Sequence, residues 1–383
     1  MRMINMIKAL FKIDSHFENR IYGLDILRAL AIMFVVIGHG IKVLPYGNFI
    51  RDVSMHLDFD GVSVFFVLSG FLIGGILIKI LENQKATFKT LYNFWMRRWL
   101  RTLPNYFFIL FLLVIVFPFL YTGHIQDSLS EKIKYVFFIQ NLYYNHPYFF
   151  PEAWSLSIEE WFYLVVPVLM FALVGMLKMK PKKAVLIVSV SILILVTYFR
   201  YYKLMEFPID SLKDWDRGFR KQVITRLDSL MFGVIGAYIS FYYKEYWVKY
   251  KLILLIIGVV IFWLEKNLHL FVSNIGFGIY KSVFSFTISS IATLMTLPFL
   301  SQYKNGKGFV FKWVTIISLI SYSMYLINLS LVQNYILTMF PEDLKEFEYL
   351  RYIAYWVVII LGSILLYKFI EIPFMKLRDK LAK

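Results

Sequence analysis

The stretch Gly23-Leu24-Asp25-Ile26-Leu27-Arg28-Ala29-Leu30-Ala31-Ile32-Met33-Phe34-Val35-Val36-Ile37-Gly38-His39-Gly40 is apolar for long enough to be a spanning helix, yet it carries three ionisable groups. Such a group inside a spanning helix costs about 2.5–3.5 kcal/mol on insertion scales, so each invites a functional explanation. Arg28 and His39 are eleven residues apart, a rotation of about 1100°, which places them on one face roughly 16 Å apart along the axis. Asp25 precedes Arg28 by three residues and is placed to pair with it. A plainer account makes Arg28 an interface anchor with Asp25 as counter-charge, and His39 a packing histidine bonded to a neighbouring helix. Gly38 and Gly40 would let a second backbone or a substrate approach. A neutral imidazole, with an ordinary pKa of about 6.5, suits removal of a proton from a hydroxyl.

The rest of the chain fits this helix. Of 383 residues, 59% are hydrophobic and 17% charged, and the mean hydropathy is +0.64. Soluble domains run at about 45–50% apolar and about 25% charged, so the solvent here is lipid. An aromatic share of 19% suits helix ends lying in headgroup belts. With no cysteine, the chain has no disulfide, thiolate metal site or cysteine nucleophile. A hydrocarbon core of about 30 Å takes roughly 20 apolar residues to cross. Ten such stretches are expected, at 24–44, 59–80, 103–122, 155–177, 184–201, 224–243, 252–265, 275–300, 311–339 and 349–370. The short aromatic piece from Tyr135 to Tyr144 reads as interfacial or re-entrant. The expected fold is all-α, one integral-membrane domain over 1–383, with a cytoplasmic segment 1–23 and a cytoplasmic tail 371–383. The first apolar run lacks a small-residue cleavage site, which argues against a cleaved leader.

Lys and Arg orient the chain. The segments on the N-terminal side of the ten predicted spans hold 25 of them and the opposite loops hold 14, while acidic residues run the other way. The positive-inside rule then places both termini in the cytoplasm. The net charge of +16 has its source in this asymmetry, which leaves no reason to invoke nucleic acid.

Further motifs follow in order. Phe59-Asp60-Gly61-Val62-Ser63 through Ser69-Gly70-Phe71-Leu72 opens the second span. Phe94-Trp95-Met96-Arg97-Arg98-Trp99-Leu100-Arg101-Thr102-Leu103-Pro104 leads into the third, and Trp154-Ser155-Leu156-Ser157-Ile158-Glu159-Glu160-Trp161-Phe162-Tyr163 opens the fourth. Ser321-Tyr322-Ser323-Met324-Tyr325-Leu326 lies in the ninth, and Glu371-Ile372-Pro373 follows the tenth. Together with the Arg28–His39 spacing, this series resembles the membrane-bound acyltransferase family 3, whose members O-acylate surface polysaccharides and related glycans. The resemblance runs from about Gly23 to Pro373. It implies a ten-helix core and an acyl-CoA donor reaching in from the cytoplasm, acetyl-CoA being the commonest case. It also implies acylation of a sugar hydroxyl on the far side, and a need for Arg28, His39, Arg98 and Arg101. Two positions depart from the pattern: Ser63 stands where Asp is frequent, and Asn328 where the ninth-helix motif commonly ends in His.

Physical chemistry gives each group a role beside that resemblance. Arg98 and Arg101 share a helical face with Arg97 nearby, and guanidinium forks suit phosphates, although lipid headgroups would satisfy them equally. Ser69 and Gly70 suit close helix packing or the donor's path. Glu159 and Glu160 are expected at the depth of His39, about 7–9 Å below the outer boundary, with Glu159 facing the imidazole. The competing account pairs them with Arg226. Tyr325 and Asn328, with Asp25 and Glu160, complete the candidate support. No metal site is expected: His16, His56, His124, His146 and His269 read as solvated or interfacial. No cofactor is expected beyond the acyl-CoA co-substrate. The expected partners are acyl-CoA, a glycan acceptor and lipid, in the plasma (inner) membrane. A transporter or flippase, or a non-catalytic scaffold, are the rival classes; the first would be favoured by inverted repeats, and none is visible.

Overall fold

The computed structural model describes residues 20–56, 59–120, 128–207, 209–268, 276–339 and 348–381. Every regular element among them is helical. That follows from the solvent, because a backbone in lipid must satisfy its own hydrogen bonds. Ten helices match the ten predicted stretches in order: α1 Tyr22–Gly40, α2 Gly61–Asn83, α3 Phe88–Phe111, α4 Ala153–Phe171, α5 Pro181–Glu206, α6 Leu227–Tyr242, α7 Lys251–Lys266, α8 Ser285–Leu300, α9 Gly308–Ile327 and α10 Glu348–Leu366. Eight of the helical stretches are long and apolar enough to cross a membrane. Helix α8 counts among them because the π-helical turn Tyr280–Phe284 extends it to 21 residues, whereas the remaining two, α6 and α7, have 16 residues each. At 1.5 Å per residue that is about 24 Å, short of a full hydrocarbon core. The ten predicted spans are therefore eight full-length ones and two short helices.

Packing puts α2 at the centre, against α1 and α6, while α9 lies along α1 and α10, and α7 pairs with α8. Small residues bring α2 and α6 together. A methyl group at Gly70 would overlap the Leu230 carbonyl, and one at Gly233 would overlap that of Val67. A buried ion pair ties α5 to α6, with Arg200 Nη2 at 2.8 Å from Asp228 Oδ2. The segment after the short helix Leu129–Val136 folds onto the start of α4 and the stretch that leads into α6. Asn141 Nδ2 donates to the carbonyls of Trp154 at 3.0 Å and Lys221 at 2.6 Å, and Gln140 Nε2 donates to Ser157 Oγ at 2.6 Å. Both amides are buried, as expected of a re-entrant piece and not of a span.

One irregularity positions chemistry. Helix α9 passes into a π-helical stretch, Asn328–Ile336, at its far end. Where the winding widens, the backbone N–H groups of Leu329 and Ser330 turn to the Glu152 carboxylate, at 2.9 and 2.6 Å, and Ser330 Oγ donates to it as well. Glu152 is 1% exposed, so this buried carboxylate holds the widened turn through three donors.

Candidate functional site: two cavities sharing a wall

Six of the predicted site residues line a first cavity (Arg28, Ser69, Arg98, Arg101, Glu159 and Tyr325), His39 and again Tyr325 line a second, and Asp25, Arg97, Glu160 and Asn328 line neither. The first, about 120 Å³, lies towards the end where α1 begins and is lined by Arg28, Ser69, Arg98, Arg101, Glu159 and Glu371, among others. Its three guanidinium groups form no ion pair with a carboxylate of the described residues. The two carboxylates are engaged by neutral donors. Ser69 Oγ gives Glu159 a hydrogen bond at 3.0 Å and Tyr163 Oη one at 2.9 Å, while Asn105 Nδ2 lies 3.4 Å from Glu371. Three cations against two carboxylates leave a cavity that favours an anion. Arg97 is exposed and does not line it.

Asp25 is not the counter-charge of Arg28. Arg20 folds back on it, with Nε at 2.9 Å and Nη2 against the other carboxylate oxygen, and Ser318 Oγ donates to it at 2.8 Å. Arg20 precedes the helix and reaches Asp25 from outside, which leaves Arg28 turned to the cavity.

The second cavity, about 810 Å³, opens where α1 ends, and His39 lines it with Lys42, Asp60, Glu152, Trp154 and Arg220. His39 Nδ1 lies 2.5 Å from Asn328 Oδ1. Asn328 Nδ2 donates to the carbonyls of Tyr325 at 2.6 Å and Met324 at 3.2 Å. Those carbonyls accept only, so the amide nitrogen must face them and Oδ1 must face the histidine. The proton of a neutral His39 therefore sits on Nδ1, and Nε2 keeps its lone pair. Gln333 Nε2 also donates to the His39 carbonyl at 2.6 Å.

Glu159 does not meet His39. Helix α1 ends at Gly40 with only a 3-10 turn beyond, so His39 lies one residue from its end, whereas Glu159 is six residues into α4. The difference of five residues is about 8 Å of rise. Ser155, Glu159 and Tyr163, spaced by four, present one face of α4 to the first cavity. Glu160 accepts from Thr102 Oγ1 at 3.0 Å and faces an apolar groove with Trp99, Phe107 and Trp161. Neither glutamate pairs with Arg226, whose Nη2 donates to Ser63 Oγ at 2.6 Å.

Part of the second cavity's charge is paired within it. Arg220 lies 3.4 Å from Asp60 and 3.0 Å from Asp216, and Lys221 lies 2.5 Å from Asp216. Burial works to raise the Asp216 carboxyl, but Arg220 and Lys221 outweigh it and hold it below its ordinary range. Arg220 also lies over the Trp154 ring, 5.1 Å from its centroid. Sequence reasoning passed over Glu152, Arg220 and Glu371 as site residues. The signal for Glu152 was an acid two residues before Trp154, at the mouth of a span.

Among the other histidines, His56 is exposed, and His146 corrects its reading as solvated or interfacial. His146 is buried, donates from Nε2 to the Phe150 carbonyl at 3.2 Å, and has its pKa pushed down to about 3 by burial. His16, His124 and His269 lie outside the described residues. Among the described residues no three His, Asp or Glu side chains gather as metal ligands.

Fold and site together define a class: a multi-pass, all-helical membrane protein with an arginine-lined cavity behind a histidine-lined one. Residues 21–368 match the family described as "Acyltransferase domain", and the chain belongs to that acyltransferase 3 family. A Staphylococcus aureus (strain COL) protein that bears the provisional name of an O-acetyltransferase is 28% identical over 377 residues, covering 92% of this chain and 57% of its own length. Peptidoglycan O-acetyltransferase OatA of Listeria monocytogenes is 33% identical over 157 residues, 38% of this chain and 23% of its own. The Bacillus subtilis (strain 168) protein YrhL, provisionally named a peptidoglycan O-acetyltransferase, is 33% identical over 185 residues, 45% of this chain and 27% of its own. The chain spans little more than half the length of the first of these relatives. No solved structure matches.

Proposed function

We propose that this chain is a membrane O-acyltransferase that moves an acetyl group from acyl-CoA, on the cytoplasmic side, to a hydroxyl of a glycan on the opposite side of the plasma membrane. The observation that carries the reading is the arrangement of the two cavities, with Arg28, Arg98 and Arg101, unpaired among the described residues, in one and His39 in the other. Family membership and the O-acetyltransferase names of the relatives support the reaction class. The Lys and Arg asymmetry supports both termini facing the cytoplasm, with the arginine cavity towards that side.

Arg98 and Arg101 take the donor's phosphates, and Arg28 lies deeper along its path. The acceptor hydroxyl gives its proton to His39 Nε2 as its oxygen bonds to the acyl carbon. The carbon–sulfur bond breaks, and the CoA thiolate leaves to be protonated in turn by the imidazolium. Asn328 Oδ1 holds the Nδ1 proton throughout, fixing ring and tautomer as a carboxylate does in a catalytic triad. Glu159, tied to Ser69 and Tyr163, shapes the donor cavity.

Mass spectrometry of envelope glycans tests the proposal, comparing cells with the native chain, with His39→Ala and with His39→Gln, at matched protein levels. A positioned base contributes about 100- to 10,000-fold, so both variants should lose essentially all of the ester increment. Normal acylation by both, or no acyl increment with the native chain, would sink it.

A further inference from the structure

The two cavities have just two lining residues in common, Val62 of α2 and Tyr325 of α9. Each is nearly buried, at 6% and 7% exposure. The Tyr325 hydroxyl accepts from Ser155 Oγ at 2.7 Å and donates to the Glu152 carbonyl at 3.2 Å. The ring is thus tied at its tip to α4 while its backbone belongs to α9. Val62 is β-branched, and in a helix such a side chain holds one χ1 well about 90% of the time. Phe66, 1% exposed, backs it one turn further along α2. Both edges of the shared wall are therefore stiff.

We propose that Val62 and Tyr325 form a fixed aperture between donor and acceptor cavities, and that its width sets which acyl groups are transferred. The inference rests on the transfer reading above. The thioester carbonyl must reach the attacking oxygen at this wall, with its alkyl tail beside Val62. A two-carbon acyl group clears a stiff opening more readily than a four-carbon one, because the longer tail needs room that neither side chain can give by rotating. A methylene in such a pocket is worth about 10- to 200-fold in discrimination.

The test uses the purified full chain in proteoliposomes, with acetyl-, propionyl- or butyryl-CoA outside and chitopentaose inside, and reads ester products by mass spectrometry. Val62→Ala removes two methyl groups and should raise the butyryl-to-acetyl product ratio about 10-fold. Val62→Leu should lower the propionyl-to-acetyl ratio. Ile194→Ala, on the exposed face of α5, should leave both ratios as in the native chain. A ratio is indifferent to how much protein survives purification. Acetyl transfer by the native chain with the same ratios in both Val62 variants would overturn the aperture and leave the transfer reading intact. Absence of any transfer by the native chain, with intact monodisperse protein, would overturn both.

Discussion

Both cavities are lined by arginine, yet the two sets of arginines live differently. In the first, Arg28, Arg98 and Arg101 face the void with no ion-paired carboxylate among the described residues. In the second, Arg220 is shared between Asp60 and Asp216, and Lys221 also turns to Asp216. An unpaired guanidinium in a protein interior has lost its hydration and awaits an anion; a paired one has already been given it. The first region keeps its guanidinium groups clear of its carboxylates, whereas the second locks Arg220 and Lys221 to Asp60 and Asp216. On the proposed reading, a phosphate-bearing donor suits the one and a hydroxyl-rich acceptor the other.

The contrast is sharpest at His39, where the largest effect is expected. Asn328→Leu removes the acceptor of the Nδ1 proton and should lower kcat about 100-fold, with the KM for acetyl-CoA nearly unchanged. Steady-state transfer in proteoliposomes measures it, and a variant within threefold of native would show that the amide does not orient the ring. Next come the unpaired arginines. Arg98→Gln and Arg101→Gln should each raise the KM for acetyl-CoA about 10- to 100-fold with a smaller change in kcat, the worth of one charge-assisted hydrogen bond. If kcat fell and KM did not, the first cavity would be part of the reacting centre instead of a donor site. The smallest effect belongs to Arg97→Gln. Being exposed and outside the cavity, it should change KM by less than about twofold, as surface charges do.

Helix order was legible because spanning helices announce themselves by length and hydropathy, and α1 to α10 follow the predicted runs. The ends were less legible. The spans predicted to run to 44 and 339 give way to a 3-10 turn after Gly40 and to π-helix after Ile327, while α3 begins at Phe88, well before the predicted 103, so hydropathy alone misplaced the ends, and the depth assigned to His39 was too great. That error carried Glu159 to the wrong cavity. Asp25 paired with Arg20 because a residue ahead of a helix can reach back into its first turn, a contact that no spacing rule within the helix anticipates. Asn328 was visible as a departure from a motif, but its value lay in its contacts with His39 across the helix pair and with the Met324 and Tyr325 carbonyls of its own last turn.

The seam between α2 and α6 carries one more consequence. With Gly70 and Gly233 pressed against each other's neighbouring carbonyls, these helices have no side-chain layer on which to slide. A seam packed backbone to backbone holds the two helices in one register. Val62, which lines both cavities, stands on that same α2, so the wall proposed between them is anchored to this close-packed pair.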